Sequence, residues 1–261
     1  MRVDSLFSLR DKIVVLTGAC GLIGKELSSA LIKSGSTVIA LDINLDALQE
    51  LSIEINSPKF HTREIDVSSA DSIVSLVGYL NSEFSSIDVL INNHQFKPIG
   101  FCEATPENFP DELWDQIIDV NLTGTYLMCK NIGKIMLAQK YGSIINFAST
   151  YGVVSSNPDL YSDNSLGNPL AYSVSKGGVL MLSKYLGVHW ASQGVRVNCI
   201  TPHGVFNNHE ESFVRRFSEK SPMKRMMLAN EIVGSIIYLS SDASTYVTGT
   251  NLFVEGGWTS W

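Results

Sequence analysis

The stretch "KIVVLTGACGLIGKELSSALIKSG", residues 12–35, changes its periodicity across a single loop. "KIVVLTG" (12–18) is a short apolar run, rich in β-branched residues and ending in glycine, which is the pattern of a buried strand. "LIGKELSSALIKSG" (22–35) carries apolar residues at helical spacing and stops at Gly35, a residue suited to the C′ position of a helix. Between them lies "TGACGLIG" (17–24). Glycines at a strand-to-helix turn let a pyrophosphate come close to the backbone, where the helix N-terminus offers N–H donors and a favourable dipole. A glycine pattern alone is weak, but this one has its strand before and its helix after, in the first βα unit. The alternative at this point is an ordinary βα turn.

Working outward, the same alternation continues. Strands are expected at 37–42, 59–67, 87–93, 142–149, 195–201 and 249–257, and helices at 45–55, 69–84, 111–139, 170–194 and 229–241. The segment 202–228 reads as irregular, and 155–168 as a polar insert of Ser, Asn, Asp and Gly. Strands alternating with helices imply βαβ units and a parallel sheet covered on both faces. The expected fold is α/β: one Rossmann-type, doubly wound domain over 1–261, in the strand order of dinucleotide binders.

The bulk numbers are compatible with that. A chain of 261 residues with 44% hydrophobic content can bury a large core. With 19 basic and 26 acidic residues its net charge is −7, and it has no basic run, which argues against nucleic acid or an anionic membrane as partner. Cys20, Cys102, Cys129 and Cys199 form no CxxC pair and no metal-ligand spacing with His, so free thiols and no metal are expected. "MRVDSLFSLRDK" lacks the apolar core of a signal peptide, and no apolar run is long enough to span a bilayer, so the default expectation is a soluble cytoplasmic protein.

Asp42 closes the second expected strand, in "ALDIN". A carboxylate there accepts hydrogen bonds from the ribose hydroxyls of NAD and repels a 2′-phosphate, and no Arg or Lys stands beside it; NAD is expected in preference to NADP. Its alternative role is a helix N-cap, which Asn44 can fill instead.

These residues, with "DV" (66–67), "INN" (91–93), "GSIINFAS" (142–149), "YSVSK" (172–176), "VNCITPHGV" (197–205) and "LSSDASTYVTGTNLFVEGGW" (239–258), resemble the short-chain dehydrogenase/reductase family, in its compact single-domain branch. The resemblance covers nearly the whole chain. Two departures stand out. The middle glycine of the loop is Gly21, one place early, with Leu22 at the family's usual glycine position, a spacing similar to the extended, sugar-nucleotide-acting branch. The family's "NNAG" is here "NNHQ", so His94 and Gln95 replace two small residues, and a second histidine, His203, falls in "PHG".

The resemblance implies a secondary-alcohol or ketone oxidoreductase in which a tyrosine transfers the proton. Tyrosine has a reference pKa of about 10, and a fixed cation favours its phenolate. Three tyrosines lie between 149 and 178, and they are sorted by what stands four residues on: Ser155 after Tyr151, Ser165 after Tyr161, Lys176 after Tyr172. Positions i and i+4 share a helix face, so Tyr172 is the one with an ammonium group alongside. By resemblance Ser149 binds the substrate oxygen, and Asn121 holds a water that links Lys176 to solvent. Ser149 and Tyr172 stand further apart in sequence than is usual in the family, and the extra residues are expected to bulge outward.

The implied cofactor contacts are Gly18, Gly21, Ile23 and Gly24 around the phosphates, Asp42 on the ribose, Asp66 and Val67 at the adenine, Asn93 beside the cofactor, Tyr172 and Lys176 at the nicotinamide ribose, and Val205 through its backbone. His94, Gln95, Tyr151, Tyr161, Asn168, His203, Asn207 and Asn208 are candidates for a pocket rich in donors and acceptors, suited to a polyol, sugar or hydroxy acid. Each histidine has the alternative of a structural residue satisfied within the fold, and the insert that of a solvated surface loop. Two other functions compete: a sugar-nucleotide epimerase or dehydratase that retains NAD, prompted by Gly21, and a non-catalytic NAD-binding sensor or assembly subunit. Relatives of this branch are commonly tetramers, which implies a homotetramer or homodimer; the apolar helix "GGVLMLSKYLGVHW" and the terminal "GGWTSW" fit such surfaces.

Overall fold

A computed structural model describes residues 3–96, 105–161, 167 and 169–261; Cys102 and Asn168 lie outside the described residues, as do 162–166 of the insert. In chain order the elements are α1 (Val3–Leu6), β1 (Ile13–Thr17), α2 (Leu22–Lys33), β2 (Thr37–Asp42), α3 (Leu45–Ile55), β3 (Phe60–Glu64), α4 (Ala70–Glu83), β4 (Val89–Asn92), α5 (Asp111–Ile118), α6 (Thr125–Gln139), β5 (Gly142–Phe147), α7 (Leu170–Trp190), β6 (Val195–Pro202), α8 (Glu211–Lys220), α9 (Val233–Ser240) and β7 (Asn251–Val254). The strands form one sheet in the order β3-β2-β1-β4-β5-β6-β7, every neighbouring pair parallel. The order reverses between β1 and β4, and a crevice opens there at the carboxyl ends of the strands.

Successive residues of a strand face opposite sides, and both sides are packed. Val14 and Leu16 of β1, with Val38 and Ala40 of β2, join Leu27 and Leu31 of α2, Leu48 of α3 and Leu239 of α9 in one buried cluster. Val15, Ile39 and Leu41 point the other way, onto Leu76 and Leu80 of α4 and Met128, Ile132 and Met136 of α6. Truncating any of these leucines to alanine costs about 2–5 kcal/mol. The helix starts follow the sequence: the Asn44 side chain accepts from Ala47 N at 3.0 Å to cap α3, and Ser69 accepts from Ser72 N at 3.3 Å to cap α4. Among the described residues no helix is long and apolar enough to cross a membrane.

Several boundaries differ from the sequence reading. The segment 202–228 is not wholly irregular, because Glu211–Lys220 forms α8. Its charged residues mask an apolar pair, Phe213 and Phe217, spaced i to i+4 and both buried. The long helix expected over 111–139 is interrupted by a π-helical turn at Asp119–Gly124, which sets Asn121 into the interior. The helix 170–194 ends at Trp190 and continues as a single 3₁₀ turn. The strand expected at 59–67 ends at Glu64, which frees Asp66 and Val67 to turn into the crevice.

Candidate active site

The crevice is a cleft of about 820 Å³ whose wall is made by residues that leave the ends of β1 to β6. Its floor is the glycine turn. Gly18 has φ +63, and a Cβ there would come within 2.9 Å of His94 Cα, so the residue is bound to be glycine on both counts. At Gly24 a Cβ would sit 2.1 Å from the Gly18 carbonyl oxygen; its absence lets α2 start directly against the turn. Gly21 is different. Among the described residues beyond its chain neighbours, a Cβ there would meet within 4 Å only Gly18 O, at 3.4 Å, while Gly21 lines the cleft at the N-cap of α2. Space left open by the chain's own atoms, at a helix N-terminus, is what a dinucleotide phosphate needs. The early middle glycine therefore still fits such a group.

Beyond the turn, Asp42 lines the cleft and its carboxylate is fixed by two backbone donors, Cys20 N at 3.0 Å and Asn44 N at 3.2 Å. Asn44 caps the following helix, so Asp42 does not have to. Ile23, Asp66 and Val67 line the same half; Asp66 accepts from Ser68 N at 2.9 Å and Ser68 Oγ at 2.6 Å, which holds the turn after β3. Asn93 donates from its side chain to Gly18 O at 2.9 Å and so joins the end of β4 to the glycine turn. Val205 lines the opposite half of the cleft, where it bridges to Met227.

The catalytic candidates meet at the other end. Ser149 follows β5, is buried, and caps the turn Thr150–Gly152 by accepting from Tyr151 N at 3.2 Å. That turn lies directly on α7: a Cβ on Gly152 would come within 2.6 Å of the Lys176 backbone. The close approach brings the Tyr172 hydroxyl into hydrogen-bonding contact with Ser149 despite the insert between them. Lys176, one turn further along α7 and 2% exposed, donates from Nζ to Phe147 O at 2.9 Å, with Nζ 5.8 Å from the centre of the Tyr172 ring. In this structure the net shift of the phenol is upward, against the expected pull of the Lys176 charge. Burial pushes Tyr172 above its ordinary value, and the bond to Ser149 offsets only part of that. Asn121 is fully buried; its Oδ1 accepts from Phe96 N at 2.8 Å, and among the described residues its Nδ2 has no partner.

The substrate candidates separate into two kinds. His94 is in the wall, but its ring nitrogens lie 2.7 Å from Thr17 Oγ1 and 3.2 Å from Thr125 Oγ1, and its Nδ1 and Nε2 are thus occupied within the fold. Buried and held neutral, with its pKa lowered to about 3 by desolvation first and the Lys176 charge second, it braces β4 against α6 rather than offering its ring to a substrate. Tyr151, Tyr161, Gln95, Asn207 and His203 line the cleft; Asn208 is not among the lining residues. The sequence reading missed Phe213 and Phe217 as parts of this wall, because it did not find α8, and missed Trp258, whose ring stacks on Phe217 at 4.9 Å and lies 4.3 Å from the His203 ring. Aromatic residues at helical spacing in "ESFVRRFSEK" were the available signal. Among the described residues there is no cluster of His, Cys, Asp and Glu able to hold a metal ion, and Cys20, Cys129 and Cys199 are free thiols.

Comparison with known proteins gives a consistent result. A family model of the short-chain alcohol-dehydrogenase type, described as enoyl-(acyl carrier protein) reductase, matches residues 18–259. The chain is 30% identical to the D-threitol dehydrogenase of Mycolicibacterium smegmatis, over 99% of this chain and 97% of that one. It is 32% identical to the 2-dehydro-3-deoxy-D-gluconate 5-dehydrogenase of Pseudoalteromonas atlantica, over 97% of each. Among solved structures, a short-chain dehydrogenase of Leptospira borgpetersenii with bound NAD+ superposes with a TM-score of 0.87 at 32% identity, covering 97% of this chain and 94% of that one.

Proposed function

The chain belongs to the short-chain dehydrogenase/reductase family, and on that footing we propose that it is an NAD-preferring oxidoreductase interconverting a secondary alcohol and a ketone on a small polar substrate, a polyol, sugar or hydroxy acid. The observation that carries the proposal is the contact between Tyr172 and Ser149 at the end of the cleft, with the Lys176 ammonium one helical turn away. A nicotinamide dinucleotide, when bound, supplies the hydride acceptor or donor. Everything else is the work of this chain. Ser149 orients the substrate oxygen. Tyr172 gives that oxygen a proton on reduction and takes one on oxidation. Lys176 is anchored by the Phe147 carbonyl and places a positive charge behind the tyrosine, which favours its phenolate at the moment it has lost the proton. Asn121, whose buried Nδ2 has no partner among the described residues, is the proposed seat of a water that returns protons to Lys176.

The preference for NAD rests on Asp42. Its fixed carboxylate suits two ribose hydroxyls and repels a 2′-phosphate, and the cleft residues that follow it, Ile43, Asn44 and Ala47, are uncharged, as is Cys20, from whose backbone N–H it accepts. Bound NAD+ in the Leptospira relative and the polyol named for the Mycolicibacterium relative support the same reading. We take the chain as one catalytic domain, which the single sheet running through all seven strands supports. A homotetramer or homodimer is supported by the exposed Val174, Met181, Tyr185 and Val188, which follow one stripe of α7. The test is a panel of polyols, sugars and hydroxy acids supplied with NAD and followed at the NADH absorbance. Reduction of NAD by a member of the panel is expected; turnover with NADP alone, or none at all, rejects the proposal.

A further inference from the structure

His203 follows β6 and is 6% exposed. Its ring is surrounded by aromatic ones: Trp258 at 4.3 Å, Phe217 at 5.0 Å and Tyr151 at 5.3 Å between centres, the last edge-on at 80°. Its Nε2 is buried, and among the described residues no polar atom reaches it. This departs from the general behaviour of buried polar groups, nearly all of which find a partner. The other buried histidine, His94, follows that rule through two threonine hydroxyls. As a residue His203 lines the cleft, together with Ser149, Tyr151, Tyr161 and Tyr172. The neighbouring Tyr151 accepts a hydrogen bond from Tyr161 at 2.7 Å, so its own O–H is left to donate. A free ring nitrogen and a phenolic O–H on one wall match a group that both donates and accepts, which describes a hydroxyl.

The charge of that wall narrows the choice. The aromatic surroundings of His203 hold its ring neutral, with the pKa lowered by burial to about 3; Glu231, Glu255 and Arg225 share with it a second, smaller cavity that none of the catalytic residues named above lines. Among the described residues lining the cleft, Lys176 is the one basic side chain apart from histidines, and it is anchored on the Phe147 carbonyl beside Tyr172. A carboxylate taken into such a pocket loses its water without gaining a cation, whereas a hydroxyl loses little.

We propose that His203 determines specificity by hydrogen-bonding, through Nε2, a second hydroxyl of the substrate, and that the substrate is therefore an uncharged polyol or ketose rather than a hydroxy acid. The proposal rests on the active-site reading above only in taking the substrate to lie beside Ser149 and Tyr172. Relatives named for a polyol and for a keto acid are both about equally similar to this chain, so resemblance does not decide between the two classes.

The test is equilibrium binding by calorimetry, with the full-length wild type, His203→Phe and His203→Gln. The ligands are a four- or five-carbon polyol and the aldonate of the same length, each with and without saturating NADH, and the affinity for NADH is measured separately. His203→Phe keeps an aromatic ring and removes the nitrogen; His203→Gln restores a polar atom near the place of Nε2, and also serves if the phenylalanine variant does not fold. The wild type is expected to bind the polyol at least about tenfold more tightly than the aldonate. His203→Phe is expected to weaken the polyol by about tenfold with NADH affinity unchanged, and His203→Gln to recover part of that loss. Polyol affinity unchanged in both variants, tighter binding of the aldonate, or no polyol binding by the wild type would each overturn the proposal. Failure of NADH to bind would instead remove the cofactor reading, and the polyol titrations without NADH would still decide the role of His203.

Discussion

Tyr161 donates its hydroxyl hydrogen to the hydroxyl oxygen of Tyr151 at 2.7 Å, and this bond ties the polar insert to the wall of the active-site cleft. The insert is anchored a second time one residue earlier. Leu160 is fully buried against Phe213, Phe217 and Met226, so the described part of the insert packs on α8. A solvated loop would make neither contact. Replacing Tyr161 by phenylalanine keeps the packing and removes the bond. The expected result is a rise in substrate KM of about three- to tenfold, with the KM for NAD and the melting temperature little changed. Steady-state kinetics with each substrate varied in turn will show whether the effect is confined to the alcohol; equal effects on both would return the insert to a structural role.

Asp42 makes the cofactor preference testable by a single change. Asp42→Ala removes the acceptor of the ribose hydroxyls and the repulsion of a 2′-phosphate together. NAD affinity is expected to fall by about 10- to 100-fold and the ratio of NAD to NADP efficiency to approach unity. An unchanged ratio, measured as kcat/KM for the two dinucleotides, would show that the preference is set elsewhere.

The two buried histidines give the protein an acid limit. His94 and His203 each have a folded-state pKa of about 3 against an ordinary 6.5. The unfolded chain takes up those protons as the pH falls below 6.5 and the folded chain does not, so stability is fully present above that pH and is lost between it and about 3. The slope is about 1.4 kcal/mol per pH unit for each histidine. Urea denaturation at pH 7, 6 and 5 is expected to give falling stability, and His94→Ala a shallower dependence from a lower starting point. Stability flat across that range would mean that the rings are not held neutral.

Burial keeps the Tyr172 phenol protonated to a higher pH than an ordinary tyrosine. The protonated form is the acid that ketone reduction needs, and the deprotonated form is the base for alcohol oxidation. In the free enzyme, therefore, kcat/KM for oxidation is expected to rise tenfold per pH unit up to alkaline pH, while that for reduction stays level and falls only at alkaline pH. An oxidation profile that is already flat from pH 7 upwards would show that Lys176 lowers the phenol after all.

How much of this could be read from the chain depends on how local each cause is. The strands and most helices were legible because their apolar residues recur with a period of 2 or 3.6, and the glycine turn because it joins one pattern to the other. The Tyr172–Lys176 pair was legible because positions i and i+4 share a face. Helix α8 was hidden by five charged residues around its two buried phenylalanines. The π-helical turn at Asp119–Gly124 leaves no mark in a periodicity that runs helical on both sides. The different fates of His94 and His203 were illegible for another reason. Both are buried and neutral, and what separates them is whether a threonine from β1 and one from α6 stand beside the ring, a matter of tertiary packing alone.

The most direct test of the account is Tyr172→Phe, assayed with a substrate that the wild type oxidises and accompanied by a titration of NAD. The variant loses one oxygen atom and keeps the ring that packs beside Lys176. The expected result is a fall in kcat of about a thousandfold or more, with NAD affinity within about threefold of the wild type. A variant that turns over at a rate near that of the wild type while binding NAD normally would contradict the assignment of proton transfer to Tyr172, and with it the mechanism built on this cleft.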